Sequence, residues 1–276
     1  MRTGGTDIGG GKKAARAKDE IEEHDGSRGG GRLAVVGIGP GSELDMTPRA
    51  RAAIENSDTV VGYTTYIKLV RPMLAGQEVV STGMKSEAER CLDAVRLAVS
   101  GKRVALISSG DSGVYGMAGL TLEIMKEEGA ESLPFEVIPG VPAVCSSAAS
   151  LGAPLMHDFA VISLSDLLTP LELIFKRLEA AASADFVIAL YNPRSKGRPG
   201  YLEEACKVIM KHRSGTTPVG IVKDSRRDGE KVIVTTLAGL PVEEVDMTTM
   251  VIVGNSQTYR FMDYLVTPRG YKGKRF

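Results

Sequence analysis

The 276-residue chain lacks net charge: 34 Lys and Arg are matched by 34 Asp and Glu. Without a global field, neither nucleic acid nor an anionic membrane surface is expected as a partner. No apolar run approaches the roughly 20 residues that a membrane-crossing helix needs. The first residues also lack the apolar core of a signal peptide, so a cytoplasmic protein is expected. Cysteine and histidine are scarce, three of each. Cys91, Cys145 and Cys206 are far apart with no CxxC pair, and His24, His157 and His212 are scattered. A tetrahedral metal site wants clustered ligands at short spacings. No protein-bound metal is therefore expected, and the thiols read as reduced and mostly buried. Hydrophobic content of 43% and charged content of 25% are those of a soluble globular chain.

The first 31 residues differ from the rest. Gly4, Gly5, Gly9 to Gly11 and Gly29 to Gly31 alternate with charged residues, and such a segment cannot bury enough surface to offset its ordering entropy. It reads as a disordered leader or a misassigned start, with at most a transient helix over 12–23. From Leu33 onward, short apolar runs alternate with amphipathic stretches. Strands are expected at Leu33–Ile38, Asp58–Val61, Arg103–Ser108, Phe135–Ile138, Ala160–Leu164, Phe186–Tyr191, Pro218–Val222, Lys231–Thr236, Met250–Gly254 and Phe261–Val266. Helices are expected from Thr47-Pro48, where Thr caps and Pro fits the first position, and over 87–100, 118–128, 141–150, 170–182 and 201–212. Gly101 and Gly129 are placed to stop two of them. This order predicts two α/β domains, the second ending in antiparallel strands. The expected divisions are 1–31, 32–152 and 153–276, with the break at Gly152-Ala-Pro154.

Several post-strand segments carry the chemistry. Gly37-Ile-Gly-Pro-Gly41 follows a strand and precedes a helix, where glycines let the backbone turn sharply and approach a ligand. It falls short of a dinucleotide fingerprint. Ser42 stands where the third glycine belongs, Pro40 interrupts the run, and Gly62-Tyr63 occupies the place of the ribose-binding acid. Taken alone, this turn reads either as a tight structural turn or as a ligand contact. Ser108-Ser-Gly-Asp-Ser-Gly113 also follows a buried strand. Asp111 there could accept bonds from an amine or from ribose hydroxyls, or could shape the loop as an Asx-turn. Ile138-Pro-Gly-Val-Pro-Ala143 opens a helix of small residues that suits either a flat ligand or close helix packing. Tyr191-Asn-Pro-Arg194 ends a strongly apolar strand. In α/β sheets ligands gather beyond the carboxyl ends of strands, so these loops together predict one shared cleft.

The same segments resemble the tetrapyrrole methylase superfamily. Val61-Gly-Tyr-Thr-Thr-Tyr-Ile67, Thr82-Gly-Met84, Leu151 to Asp158, Ile162 to Pro170, Val251 to Asn255 and Thr267-Pro-Arg-Gly-Tyr271 are similar to the branch that methylates C-17 of a corrin precursor, precorrin-3B or cobalt-factor III. The resemblance spans about 33–271. It implies two α/β domains with S-adenosylmethionine held between them, a tetrapyrrole substrate, a homodimer, and methylation with associated ring contraction on the route to cobalamin. It further implies that Gly39, Pro40, Ser109, Gly110, Asp111, Val114, Pro142, Ala143, Asn192, Gly220 and Ser225 form the cofactor site. Pro142 stands where the family commonly has Ser or Thr, so only backbone or van der Waals contact is expected there. Tyr63, Thr64, Tyr66 and Lys85 are the substrate-side catalytic candidates. An ordinary loop or rim position is the alternative for each.

Because such a substrate carries many carboxylates, Arg71, Lys85, Arg194 and Arg269 are candidate receivers. His157 reads as either a proton carrier or a structural histidine. Methyl transfer needs no protein nucleophile. The competing classes are a methylase acting on another corrin intermediate, a nicotinamide-dependent oxidoreductase, and a non-catalytic cofactor- or tetrapyrrole-binding regulator. The missing ribose-binding acid argues against the oxidoreductase, and the intact loops argue against the regulator.

Overall fold

The computed structural model describes residues 30–84, 86–195, 197 and 199–271. Residues 1–29 of the expected leader, its transient helix, and Lys85 lie outside the described residues.

The chain begins its regular structure at β1 (Arg32–Gly37) and continues through α1 (Pro48–Glu55), β2 (Thr59–Tyr63), α2 (Thr64–Val70), β3 (Glu78–Thr82), α3 (Glu87–Val99), β4 (Arg103–Ser108), α4 (Ala118–Glu127) and β5 (Phe135–Ile138). The strands form a five-stranded sheet in the order β3-β2-β4-β1-β5, with every pair parallel. A parallel sheet is covered on both faces, which is why β1 and β4 are apolar without alternation. Leu33 and Val35 face Cys91, Ala94 and Val95 of α3. Ala34 and Val36 face Ala50 and Ile54 of α1 and Ile67 and Val70 of α2. The helix after β1 thus covers one face and the helix after β4, through Ala118 and Ile124, the other. Neighbouring strands that send their helices to opposite faces leave a crevice at their carboxyl ends, where ligands bind.

In this half of the chain two elements differ from expectation. β3 is an extra strand, and α2 is an extra helix starting directly after Tyr63. β3 is a sheet edge with only half-buried apolar residues, so it lacks the continuous apolar run that marks its neighbours.

Next come α5 (Ala143–Leu151), β6 (Gly152–Ala153), β7 (Phe159–Ser163), α6 (Leu171–Ser183), β8 (Val187–Tyr191), α7 (Tyr201–Met210), β9 (Pro218–Lys223), β10 (Lys231–Thr236), β11 (Thr249–Val253), β12 (Tyr259–Phe261) and β13 (Tyr264–Val266). The second sheet has the order β10-β9-β11-β8-β7. Its β7–β8 pair is parallel and the remaining pairs are antiparallel. α6 and α7 bury Ile174, Leu178, Leu202 and Ile209 against one face. The other face takes Val144, Ala148 and Leu151 of α5, with Leu265 of β13. The late segment expected as one strand over 261–266 is the hairpin β12–β13, turning at Met262 in the left-handed region. α5 follows the first sheet in sequence and packs on the second, so a division of the chain at Gly152, offered as a proposal, assigns it to one unit by sequence and to the other by packing.

Asp246 leads into the central strand β11. It pairs with Lys223 and accepts bonds from the Thr248 N–H at 2.9 Å and the Thr248 and Thr249 hydroxyls at 2.8 and 3.0 Å. Burial pushes its carboxyl up, but these donors outweigh burial and hold it at about 2. A depressed carboxylate stabilises the fold above its ordinary pKa of about 4, and that contribution is lost as pH falls through about 2. After discounting for solvent screening of a half-exposed group, Asp246→Asn is expected to cost about 1 kcal/mol at pH 7. Urea unfolding over a pH series should show the gap to wild type narrowing between pH 4 and 2. A gap of constant size would assign the loss to loop geometry instead.

Candidate active site

The carboxyl ends of β1, β4 and β5 meet backbone to backbone. Gly39 and Gly110, at φ +77° and +65°, exchange N–H···O bonds of 3.0 and 2.8 Å. A Cβ on Gly140 would lie 2.2 Å from the Gly110 oxygen and 2.6 Å from the Gly37 oxygen, and one on Gly37 would lie 2.6 Å from the Gly140 nitrogen. Only glycines let these strand ends approach so closely. The Asp111 carboxylate binds the junction, accepting from the Gly113 N–H at 2.8 Å and the Gly140 N–H at 3.0 Å. Of the two readings of Asp111, the loop-shaping Asx-turn is therefore present in the structure.

A cleft of about 320 Å³ opens beside this junction and is walled by both sheets. Of the residues singled out from sequence, Pro40, Tyr63, Tyr66, Ser109, Gly110, Asp111, Val114, Ala143, Asn192 and Ser225 line it. Gly39, Thr64, Pro142 and Gly220 do not. Gly39 turns the chain, Thr64 donates to the Thr82 carbonyl at 3.1 Å, and Pro142 caps α5. Gly220 lies in β9 beneath α5, where a Cβ would be 2.4 Å from Leu151 Cδ1. Its lack of a side chain admits Leu151 of α5.

Tyr191, quoted from sequence within its loop motif, lines the cleft too, whereas Thr65, Met84, Tyr115, Ser147, Asp224, Arg227 and the stretch from Met247 to Met250 line it without having been named as site residues. Arg227 crosses from the β9–β10 turn to the first sheet's loops. Its Nε donates to the Pro40 carbonyl at 2.8 Å and its guanidinium to Ser109 Oγ at 3.0 Å. Tyr115 crosses the other way, donating to the Val161 carbonyl at 3.3 Å and accepting from the Ser163 N–H at 3.1 Å. Asn192 donates to Ser163 Oγ at 2.9 Å, and the Tyr191 hydroxyl accepts from the Val144 N–H at the start of α5 at 3.1 Å. Tyr115, Asn192 and Asp224 all have φ near +50°, a conformation costing such residues on the order of 1 kcal/mol each. Strain of this kind collects at functional sites.

Electrostatically the cleft is mild. Arg227 is the one cation lining it among the described residues. Burial pushes the Tyr66 phenol up, opposed by the positive charge of Arg227 and by the Ser109 hydroxyl beside it. The phenol therefore stays protonated at neutral pH. Tyr63 stacks edge-on to Tyr66 at 5.1 Å, under the guanidinium of buried Arg90. The Ser147 hydroxyl is fully buried and has no hydrogen-bond partner.

Other nominated residues lie elsewhere. Arg194 binds Glu243 and the Val242 carbonyl, and Arg269 the Met156 carbonyl. Arg71 lines a separate shallow groove beside β3, and His157 sits on an exposed turn, accepting from the Asp158 N–H. Among the described residues no three His, Cys, Asp or Glu side chains are grouped to hold a metal. Cys91 and Cys206 are buried and Cys145 is exposed.

The fold and cleft define an α/β protein with two five-stranded sheets and a small three-stranded one, whose ligand site is shared between the two larger sheets. Residues 32–241 match the family model of the Tetrapyrrole (Corrin/Porphyrin) Methylases, and the chain belongs to this family. It is 51% identical over 247 residues to a cobalt-factor III methyltransferase of Priestia megaterium, covering 88% of this chain and 46% of that protein. It is likewise 51% identical over 239 residues to a probable cobalt-factor III C(17)-methyltransferase of Salmonella typhimurium, covering 87% of this chain and 99% of that one. The chain thus spans less than half of the first relative and nearly all of the second. A solved structure of the methyltransferase CobJ superposes with a TM-score of 0.83 at 35% identity, covering 86% of this chain and all of the other.

The glycine junction generates a paired test. Gly140→Ala should destabilise by about 2 kcal/mol or more, because backbone rather than a flexible side chain opposes the new Cβ. Gly119→Ala, inside α4 with nothing within 4 Å of its Cβ, should stabilise by about 0.5–1 kcal/mol. Denaturant midpoints of the two variants check both signs. Equal midpoints would mean that the three strand ends do not need their close contact.

Proposed function

We propose that the chain transfers a methyl group from S-adenosylmethionine to C-17 of cobalt-factor III, in cobalamin biosynthesis. The observation that carries this reading is the 51% identity, across nearly the whole described chain, to relatives named for that substrate. The geometry supports it. The cleft lies at the carboxyl ends of parallel strands, and its Gly110 backbone faces the cleft without a side chain, which suits a ligand lying against the main chain. Bound S-adenosylmethionine supplies an activated methyl group on a sulfonium centre. Ser109, Gly110, Asp111, Val114 and Ala143 would hold its methionine and ribose parts from the first sheet's side, and Asn192 and Ser225 its remainder from the second. Gly39 and Pro142 shape these walls from behind.

On the substrate side, protonated Tyr66 donates a hydrogen bond and Tyr63 offers an aromatic edge to the macrocycle. Arg227 would receive one of its carboxylates, exchanging the neutral Ser109 hydroxyl for a charged partner. No side chain is asked to act as nucleophile. The residues contribute alignment, for which effective molarities of about 10⁵ M or more are attainable.

A second copy of the chain is the partner proposed for the exposed face of the β12–β13 hairpin, which presents Tyr259, Phe261, Met262 and Tyr264. A cytoplasmic setting is proposed as well. No helix among the described residues is long and apolar enough to cross a membrane.

The test is direct. Purified protein with S-adenosylmethionine should add one methyl group to cobalt-factor III, read by product mass, and do so faster than to precorrin-3B. Failure with both macrocycles would sink the proposal, and preference for precorrin-3B would correct the substrate. In the same assay Arg227→Gln should raise the macrocycle KM about 10-fold or more, from loss of a charged hydrogen bond. Arg227→Lys should recover part of that loss, and an unchanged KM would remove Arg227 from substrate binding.

A further inference from the structure

Three serines of α5 face the packed interior, and two of them have partners. Ser146 donates to the Ala143 carbonyl at 3.1 Å and accepts from Ser225 at 3.0 Å. Ser150 donates to Glu230 at 2.9 Å. Ser147 is the exception: its side chain is fully buried, it lines the cleft, and its oxygen bonds to nothing. A helical serine ordinarily satisfies itself by donating back to the carbonyl four residues earlier, and that bond is absent here. A buried hydroxyl without a partner is costly, and native proteins keep few of them.

The surroundings say what class of group would satisfy it. Around Ser147 the cleft floor is apolar, with Met250 packed among Val144 and Ala148 and Ala143 and Tyr191 lining the same space. Such walls accept a flat, mostly apolar ring with a polar edge. Of the polar lining, Asp111, Ser109 and Arg227 gather at the glycine junction, while Asp224, Ser225, Thr248 and Thr249 line the cleft from the second sheet's side. Met250 has an unbranched, adaptable side chain, so the floor can part by the small amount needed to admit a ring edge.

From this we infer that Ser147 is a positioning residue for the cofactor, its hydroxyl bonding the polar edge of the nucleoside part. This rests on the methylase reading and goes beyond it by assigning a contact that the resemblance does not carry. It also implies that the empty-handed hydroxyl is a stability defect kept for binding. Removing it should then move two observables in opposite directions, whereas removing a packing residue lowers both stability and affinity.

The experiment measures calorimetric affinity for S-adenosylhomocysteine and for 5′-methylthioadenosine, which lacks the amino-acid part, together with the melting temperature of ligand-free protein. Wild type, Ser147→Ala and Ser147→Cys are compared. Ser147→Ala should weaken both ligands about 5- to 10-fold and raise the ligand-free melting temperature by about 2 °C. Ser147→Cys, similar in shape but a poor hydrogen-bonding group, should weaken both ligands as well. Unchanged affinities would overturn the inference, as would a lowered melting temperature. Weakening of S-adenosylhomocysteine alone would place the contact on the amino-acid part and overturn the nucleoside assignment. Wild-type protein that binds neither ligand would overturn the methylase reading itself, and this inference with it.

Discussion

The close approach of Gly37, Gly110 and Gly140 is the constraint on which the rest depends. Three parallel strands end side by side, and their following loops would ordinarily be held apart by side chains. Without Cβ atoms they touch, and one carboxylate, Asp111, bonds across the contact to the Gly140 N–H. This fixes where the chain leaves β5 and so aims α5 onto the second sheet, where Val144, Ala148 and Leu151 bury. The relation between the two sheets therefore follows from a local feature of the first. The same contact places Pro40, Ser109 and Ala143 on one rim. The cleft and the placing of one sheet against the other have one cause.

The second sheet answers with side chains rather than backbone. Arg227 and Tyr115 each span the gap with two polar bonds, and both also line the cleft. Groups that hold the halves together are thus the groups a ligand would meet. A ligand that displaces the Arg227–Ser109 bond alters how firmly the two sheets' loops are held together, so binding and that contact are thermodynamically linked. The left-handed backbone at Tyr115, Asn192 and Asp224 belongs to the same design. Those residues are aimed at the cleft in conformations that only tertiary contacts can sustain.

The parts legible in the sequence are those whose signal is local and dense. Buried parallel strands announce themselves by continuous apolar runs, and glycine- and proline-rich strand exits by composition, so the sheets and most of the first wall of the cleft could be read. β3 escaped because an edge strand needs only one good face and shows no long run. α2 escaped because it starts without a capping side chain directly after a strand. Gly220 shows why a strand glycine is ambiguous in sequence: it can admit a packing neighbour as easily as a ligand, and here a Cβ would meet Leu151. Arg227 was invisible for a third reason. Its turn carries a hairpin signal, and nothing in the local pattern tells that its side chain reaches a loop 187 residues earlier in the chain. Ser147 was read as one of several small residues in a helix. Its lack of a partner is a property of the fold, not of its neighbours in sequence.

The cleft's chemistry fits a reaction that asks for placement rather than for an activated side chain. A general base would need a group whose pKa lies near the working pH. The tyrosines move away from that range, since burial raises Tyr66, Tyr115 and Tyr191 alike. Each stays protonated, and the structure uses Tyr115 as a donor to the Val161 carbonyl. Asp111 is already engaged by two backbone N–H groups, which ties it to loop shape. What remains among the described residues is a glycine-tight wall, a floor lined by methionine, and one guanidinium, that of Arg227, at the junction of the two halves. In a methyl transfer the donor already carries the leaving group and the driving charge, so holding two reactants in line is the larger part of what a protein can contribute. A wall in which backbone meets backbone with no side chain between is suited to that task.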